Sequence, residues 1–383
     1  MHIALLDLSR DVGPGLPWAN LGLTVGEAIS NMGGERVVVD LCWRRISQLL
    51  TWDGSGTPVE WVQDGLVDPI RLFVKNENHT ESKRDNKAWR LISSVSMLDG
   101  LIERVLYSEQ NDAEIQVWHE LPVCPGMGLD DQSIRLLNDR MRGMQGRNTH
   151  LFTSDVSGFD WSVTDDMLRT ETEIRIALSG AAPDGPYARL LRARQAVMSQ
   201  SVFSLSDGTC YQQDTPGIMK SGSQITASAN SRMRVLLAAR VADMCGYSLR
   251  DCIAMGDDCV EAHTYSESMA HLDCTSRSDL VSLGYAQFGV VLTDVSAGKL
   301  QDGVEFCSHR WDGKVAVPLT IDKQLASLMY KRPFDQSEAH MYVAALAYSA
   351  RHMPDKVQLA MVLHQAGWGL GKISREEIFA YFL

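Results

Sequence analysis

Two adjacent carboxylates at the tip of a strand-turn-strand unit constrain this chain more than any other feature. Cys252 to Met255 is a short apolar run, Cys259 to Ala262 is another with one Glu, and Gly256, Asp257 and Asp258 lie between them. Runs of that length around a Gly-Asp turn predict a tight β-hairpin. Two anions held this close repel by about 4 kcal/mol at an effective dielectric of 20. A fold that keeps them together usually supplies cations, and divalent magnesium or manganese, which prefer oxygen ligands, would serve. Taken alone, the tripeptide also reads as a solvated Asp-Gly turn.

Two stretches upstream carry compatible chemistry. Leu151 and Phe152 belong to an apolar, strand-like run, Asp155 stands where that strand would stop, and Asp160 follows a bend opened by Gly158 at the mouth of a helix expected over 162–178. A carboxylate at a strand end can share a metal with those at a neighbouring hairpin tip, although Asp residues at this spacing also serve as helix caps. Downstream, a Pro216-Gly217 turn leads into Ser221-Gly222-Ser223 and a helix expected over 224–245. Ser221 then lies at the entrance of that helix, with Thr226 and Asn230 one helical turn apart.

In this order the three stretches resemble motifs A, B and C of viral RNA-dependent RNA polymerases, those of the sobemovirus and polerovirus group in particular. Ser157-Gly158-Phe159-Asp160-Trp161-Ser162-Val163 looks like motif A, and Lys220-Ser221-Gly222-Ser223 through Asn230-Ser231-Arg232 looks like motif B. Glu305-Phe306-Cys307-Ser308-His309 looks like motif E, and Pro125-Gly126-Met127-Gly128-Leu129 like a segment upstream of motif A. The order of Lys75, Lys83 and Arg90 resembles motif F, the basic segment that grips the incoming triphosphate; by composition alone this mixed-charge stretch is a solvated face. His79 matches a histidine of that segment, while Asn78 stands where relatives commonly have proline. Many relatives carry a lysine in the motif D loop that is proposed to protonate the leaving pyrophosphate. Here the nearest lysine is Lys299, which also reads as a solvated loop lysine.

The resemblance implies an α+β right-hand polymerase. Its palm, an antiparallel sheet with helices, would span 148–180 and 215–310, its fingers 1–147 and 181–214, and a small helical thumb 311–383. Asp155 and Asp257, with Asp258 assisting, would hold two Mg2+ or Mn2+ ions about 3.5 to 4 Å apart. Lys75, Lys83 and Arg90 would neutralise the triphosphate, and Asp160, Ser221, Thr226 and Asn230 would recognise the ribose. The implied partners are an RNA template and primer and nucleoside triphosphates, with a genome-linked protein primer left open; the implied location is the host-cell cytoplasm, at viral replication complexes. Two rivals share parts of the pattern: a reverse transcriptase, and a replication protein that binds RNA without catalysis.

Composition narrows the field further. A hydrophobic content of 45% with 22% charged residues is that of an ordinary globular protein. The formal net charge of −12 argues against nucleic-acid binding over the whole surface, so any RNA contact must be a local groove. Eight cysteines without a Cys-x-x-Cys pair read as reduced thiols rather than a disulfide scaffold or zinc site. The first residues lack the pattern of a signal peptide, and no run approaches a membrane span. Gly367-Trp368-Gly369-Leu370-Gly371 lacks a strand-glycine-helix context and is read as a loop.

Overall fold

The strands expected from apolar alternation are present in the computed structural model of the chain, which describes residues 1–78, 81–146, 149–266, 269 and 273–383. Among these residues the strands are β1 Ile70–Val74, β2 Leu91–Ser94, β3 His150–Val156, β4 Val202–Ser204, β5 Cys210–Gln212, β6 Ser248–Met255, β7 Asp258–Thr264, β8 Leu292–Gly298, β9 Val304–Phe306, β10 His309–Trp311 and β11 Ala316–Pro318. They form three sheets, in the orders β6-β7-β3-β8, β2-β1-β4-β5 and β11-β10-β9. Only β1 and β4 pair in parallel. The fold is thus mixed, with helices packed on largely antiparallel sheets.

The sheet that carries β3 has apolar side chains on both faces, as the two-residue period of a strand requires. Phe152, Cys252, Ala254 and Cys259 pack against Val241, Ala242 and Val281 of the helices Thr226–Cys245 and Cys274–Ala286. Leu151, Ile253, Val260 and Ala262 pack on the other side against Met141, Phe306 and Trp311, from helix Asp131–Met144 and the β9-β10 hairpin. A sheet clamped between two cores is a stiff support for residues at its strand ends. Separate cores gather the N-terminal helices around Leu101 and Leu191, and the helices Ile321–Tyr330, Gln336–Ser349, Val357–Gln365 and Arg375–Phe382 around Val343 and Leu363. No helix among the described residues is long and apolar enough to cross a membrane.

Most expected elements appear with shifted ends, and one differs in kind. A strand over 285–292 is the natural reading of Tyr285 to Leu292, yet Tyr285 and Ala286 end a helix and the strand starts only at Leu292. Gly289, with φ +72°, turns the chain there, and Tyr285 and Val290 are both spent on the core beneath helix Thr226–Cys245. Burial on one side of the turn makes a helix end look like an extended strand.

The β9-β10 hairpin has an unusual tip. Cys307 and Ser308 lie between the paired residues Phe306 and His309 with φ of +50° and +57°, the left-handed pair that a type I′ turn demands and that Asn-Gly ordinarily fills. Ser308 is exposed, so replacing it removes little packing. Ser308→Gly is expected to stabilise the protein by about 0.5–1 kcal/mol, read as a raised urea midpoint with an unchanged slope. A lowered midpoint would mean that the Ser308 side chain contributes more than its backbone strain costs.

Candidate active site

Four segments bring the acidic residues together. Met255 pairs with Asp258, so Gly256 and Asp257 form a two-residue hairpin loop, with Gly256 at φ +64° in the first central position, where a type II′ turn calls for glycine. Ser154 on β3 pairs with Cys259 on β7, which sets Asp155 beside that loop. The Asp155 and Asp257 carboxyls are neighbours close enough to interact. Burial, then Asp257 and Asp294, push the Asp155 carboxyl up to about 6. Burial, then Asp155 and Asp257, push Asp258 up to about 7, against the main-chain N–H that Cys307 donates to it. Asp155, Asp257 and Asp258 are each half-buried. Among the described residues no group of three or more His, Cys, Asp or Glu side chains has the geometry of an assembled metal cage. The three carboxyls are therefore close and mutually repelling rather than already arranged around a centre.

Sequence patterns gave no sign of two of these neighbours. Asp294 sits in a bulge: Thr153 pairs with Ser296 and Asp155 with Thr293, leaving β8 one residue longer, and Asp294 takes φ +50° within it. The Cys307 contact is a main-chain N–H, which any residue would supply. Only the turn geometry aims it.

The expected ribose-recognition residues divide. Asn230 Nδ2 donates to Asp160 Oδ1 at 2.8 Å, joining motif B to motif A. Burial raises the Asp160 pKa, while Asn230 and the nearby Arg90 act against the rise. The Asn230 Oδ1 is buried and has no hydrogen-bond partner among the described residues. Ser221 and Thr226 instead brace the loop. Ser221 Oγ accepts from the Ser93 N–H at 3.0 Å, and Thr226 Oγ1 bonds the carbonyls of Lys220 and Ser223 at 2.9 and 3.0 Å. A Cβ on Gly222 would lie 2.5 Å from the Ser93 carbonyl oxygen, so only glycine allows this approach to β2. Gly217, at φ +130°, is equally tight: a Cβ there would meet the Val163 carbonyl at 2.6 Å, where the Ile218 N–H donates at 2.7 Å.

The cations of the basic segment are anchored on one acid. Lys75 and Arg90 flank the β1-β2 hairpin, and the Lys75 N–H donates to the Arg90 carbonyl at 2.8 Å. Both pair with Glu77, at 3.2 and 3.4 Å, and Lys323 reaches the same carboxylate at 3.8 Å. Burial would raise Glu77, but these three cations outweigh it and hold its pKa low. Lys83 stands exposed on the short helix Glu81–Asp85, and His79 lies outside the described residues. Lys220 is buried, with its ammonium donating to the carbonyls of Ser199 and Gly217 and to Gln213, so it holds the motif B loop from behind.

Lys299 does not meet the carboxylates. It follows Gly298, which pairs with Leu151, four residues before Asp155 on β3. That separation is about 13 Å along a strand, and the ammonium there instead lies near His150, whose pKa is lowered by burial first, then by Arg277 and Lys299. The position expected of a leaving-group acid is not the one Lys299 occupies.

Comparisons with known proteins identify the family. The family described as viral RNA-directed RNA-polymerase matches residues 55–281, more than half of the chain. The chain is 32% identical to the RNA-directed RNA polymerase of Mushroom bacilliform virus, over 94% of this chain and 83% of that protein. It is 38% identical to Replicase polyprotein P2AB of Southern bean mosaic virus, over 79% of this chain and 30% of the polyprotein. Against Protein P1-P2 of Potato leafroll virus it is 33% identical, over 94% of this chain and 33% of that protein. The chain thus spans about a third of the length of the latter two. With the motif order, the converging carboxyls and these relatives in agreement, the chain belongs to the viral RNA-directed RNA polymerases, in the group that includes those of sobemoviruses and poleroviruses.

Proposed function

We propose that this chain copies the genome of a positive-strand RNA virus, transferring nucleotides from NTPs to the 3′-hydroxyl of an RNA primer and releasing pyrophosphate. The observation that carries this reading is the contact between Asp155 and Asp257, with Asp258 crowded by both, at the end of a stiff sheet. In this reading that sheet and its helices form the palm, over 148–180 and 215–310. Fingers over 1–147 and 181–214 and a thumb over 311–383 accord with the separate N- and C-terminal cores.

The donor set fits Mg2+ or Mn2+. It offers only carboxylate oxygens, and the proton affinities of Asp155 and Asp258 are raised by burial and by neighbouring carboxylates, a condition that a divalent cation relieves. Bound there, such ions would offset the triphosphate charge and lower the pKa of the primer hydroxyl. Asp155 and Asp257 would hold them, with Asp258 assisting. Lys75, Lys83 and Arg90 would meet the triphosphate, and alignment with charge neutralisation would supply most of the rate.

Selection of ribose would fall to Asp160 and Asn230. The unpartnered Asn230 Oδ1 is a buried acceptor that a ribose hydroxyl can satisfy and a deoxyribose leaves unpaired. This pair favours RNA synthesis over a reverse transcriptase. Ser221 and Thr226 would act by shaping the loop from which Asn230 is presented.

Asp155→Ala and Asp257→Ala are expected to fold normally and to lose nucleotide incorporation on an RNA primer-template by at least about a hundredfold. Full activity in either would refute the assignment. Asn230→Ala should narrow the preference for ribonucleotides over deoxyribonucleotides roughly tenfold, measured as a ratio of kcat/KM values.

The charge crowding also predicts a pH effect in protein stripped of divalent ions. The folded state binds Asp258 and Asp155 protons up to about pH 7 and about pH 6, whereas the unfolded chain releases them near pH 4. Folding stability from this source is complete below about pH 4 and is lost as pH rises through about pH 7. Asp258→Asn removes one charge and keeps the shape. It should therefore stabilise the chelator-treated protein by about 1 kcal/mol more at pH 8 than at pH 5, after allowance for solvent screening. Equal effects at the two pH values in calorimetry would count against the crowding.

A further inference from the structure

The helix Thr226–Cys245 touches the acid-bearing turn through residues that the ribose and metal assignments leave unused. The Gly256 N–H donates to Ser231 Oγ at 2.8 Å, and that hydroxyl in turn donates to the Ala227 carbonyl at 2.6 Å. About one turn further along, Arg234 Nε donates to the Asp257 carbonyl at 3.0 Å, while its Nη2 donates to Ser154 Oγ on the residue before Asp155. Ser231 and Arg234 are three residues apart, the spacing that puts two side chains on one face of a helix. Both are fully buried.

A Cβ placed on Gly256 would meet no atom within 4 Å, so no side chain presses on the turn at that residue. The hydrogen bonds from beneath add to the hold of the strand ladder. A guanidinium presents its donors in a rigid planar fork, so one group bonded to the Asp257 carbonyl and to Ser154 fixes the separation of the two strands that carry Asp257 and Asp155. Its burial is costly: the nearest carboxylate oxygen, Glu261 Oε1, is 3.7 Å from Nη1, and Nη1 makes no hydrogen bond among the described residues. The ring of Tyr285 covers the guanidinium at 4.5 Å from its centroid, which keeps water from loosening the fork. An apolar side chain would fill this space at less cost but could not hold either strand.

We propose that Ser231 and Arg234 are positioning residues that set the spacing of Asp155 and Asp257 for divalent-ion binding. This rests on the metal-ion reading of the three carboxylates. Neither residue touches substrate; each acts through the backbone of the turn or through Ser154. The expected signature is a weakened ion site in a folded protein, with nucleotide affinity preserved.

The test uses the full chain as wild type, Asp257→Ala, Ser231→Ala and Arg234→Lys. Mn2+ binding is followed by the electron paramagnetic resonance signal of the free ion, alongside melting temperature and single-nucleotide incorporation. Arg234→Lys keeps the charge and loses the fork; it should weaken Mn2+ binding about tenfold or more, the range seen when groups supporting metal ligands are removed. Ser231→Ala, which deletes one acceptor from a small side chain, should weaken it about threefold. In both, kcat should fall while the KM for the nucleotide stays within about twofold. Mn2+ affinity and kcat unchanged in Ser231→Ala and Arg234→Lys would overturn the proposal, as would losses of activity that merely follow the melting temperature. Should Arg234→Lys fail to fold, Ser231→Ala decides by the same criteria. Mn2+ binding that survives undiminished in Asp257→Ala would overturn the metal reading and this inference together, whereas binding lost in Asp257→Ala but untouched in the other two variants overturns this inference alone.

Discussion

Repulsion among Asp155, Asp257 and Asp258 is the interaction around which the rest of the structure is arranged. Left to themselves, three half-buried carboxyls would separate or bind protons, and the raised affinities of Asp155 and Asp258 for protons record that tendency. They stay together because β3 and the β6-β7 hairpin are joined by an unbroken ladder from His150–His263 to Ser154–Cys259. Moving Asp155 away from Asp257 would break that ladder and both apolar cores pressed against the sheet. The sheet thus holds a charge arrangement that is unfavourable alone, and in the proposed reading cations and a triphosphate would relieve it.

The helix Thr226–Cys245 extends this hold beyond the sheet. Its buried polar side chains reach several other segments: Ser228 accepts from Arg175 Nη2 at 2.6 Å, Asn230 meets Asp160, and Arg232 bridges Glu114 and Glu171. The loop before it is tied in the same manner. Glu103 accepts from Ser223 Oγ and the Gln224 N–H, both at 2.9 Å, and pairs with Arg194, which in turn pairs with Asp99. Buried ion pairs of this kind are poor sources of net stability, because desolvation offsets most of their attraction. Their directionality is what distinguishes them from apolar contacts. A helix packed only by Ala229, Met233 and Leu237 could slide or rotate on the sheet, whereas one bonded to several segments at once has a single register.

What could be read from the sequence follows from this division. The hairpin at Gly256-Asp257, the strand ending at Asp155 and the helix after Ser221 all carry local signatures, a turn pair, an apolar alternation and a small-residue start, and all appear in the structure. The order of the three stretches added what spacing alone could not. The Asp294 bulge, the Cys307 N–H aimed at Asp258 and the hydroxyls of Ser221 and Thr226 turned to bracing were not legible, because each depends on a partner far away in the chain or on backbone alone. Lys299 shows the same limit from the other side. It is the nearest lysine to the expected motif D loop and also reads as a solvated loop lysine, and strand register puts it at the end of β8 away from the carboxyls.

In the proposed reading, the basic segment is where a chain with a net charge of −12 would receive a triphosphate. Lys75 and Arg90 are held by Glu77 in partly exposed pairs, of the kind whose net worth is about 0–1 kcal/mol. Breaking them therefore costs little, in contrast to the buried network around Arg194 and Arg232, where losing one partner costs about 3–5 kcal/mol. A polyanion approaching these cations competes with one carboxylate that is already shared among three of them. Glu77 keeps the cations clustered between β1 and β2 until that exchange occurs, and its contact with Lys323 extends the same charge cluster to helix Ile321–Tyr330 across an open cleft of about 430 Å³. The buried pairs around Arg194 and Arg232 thus secure the frame, while the partly exposed pairs at Glu77 can open at little cost.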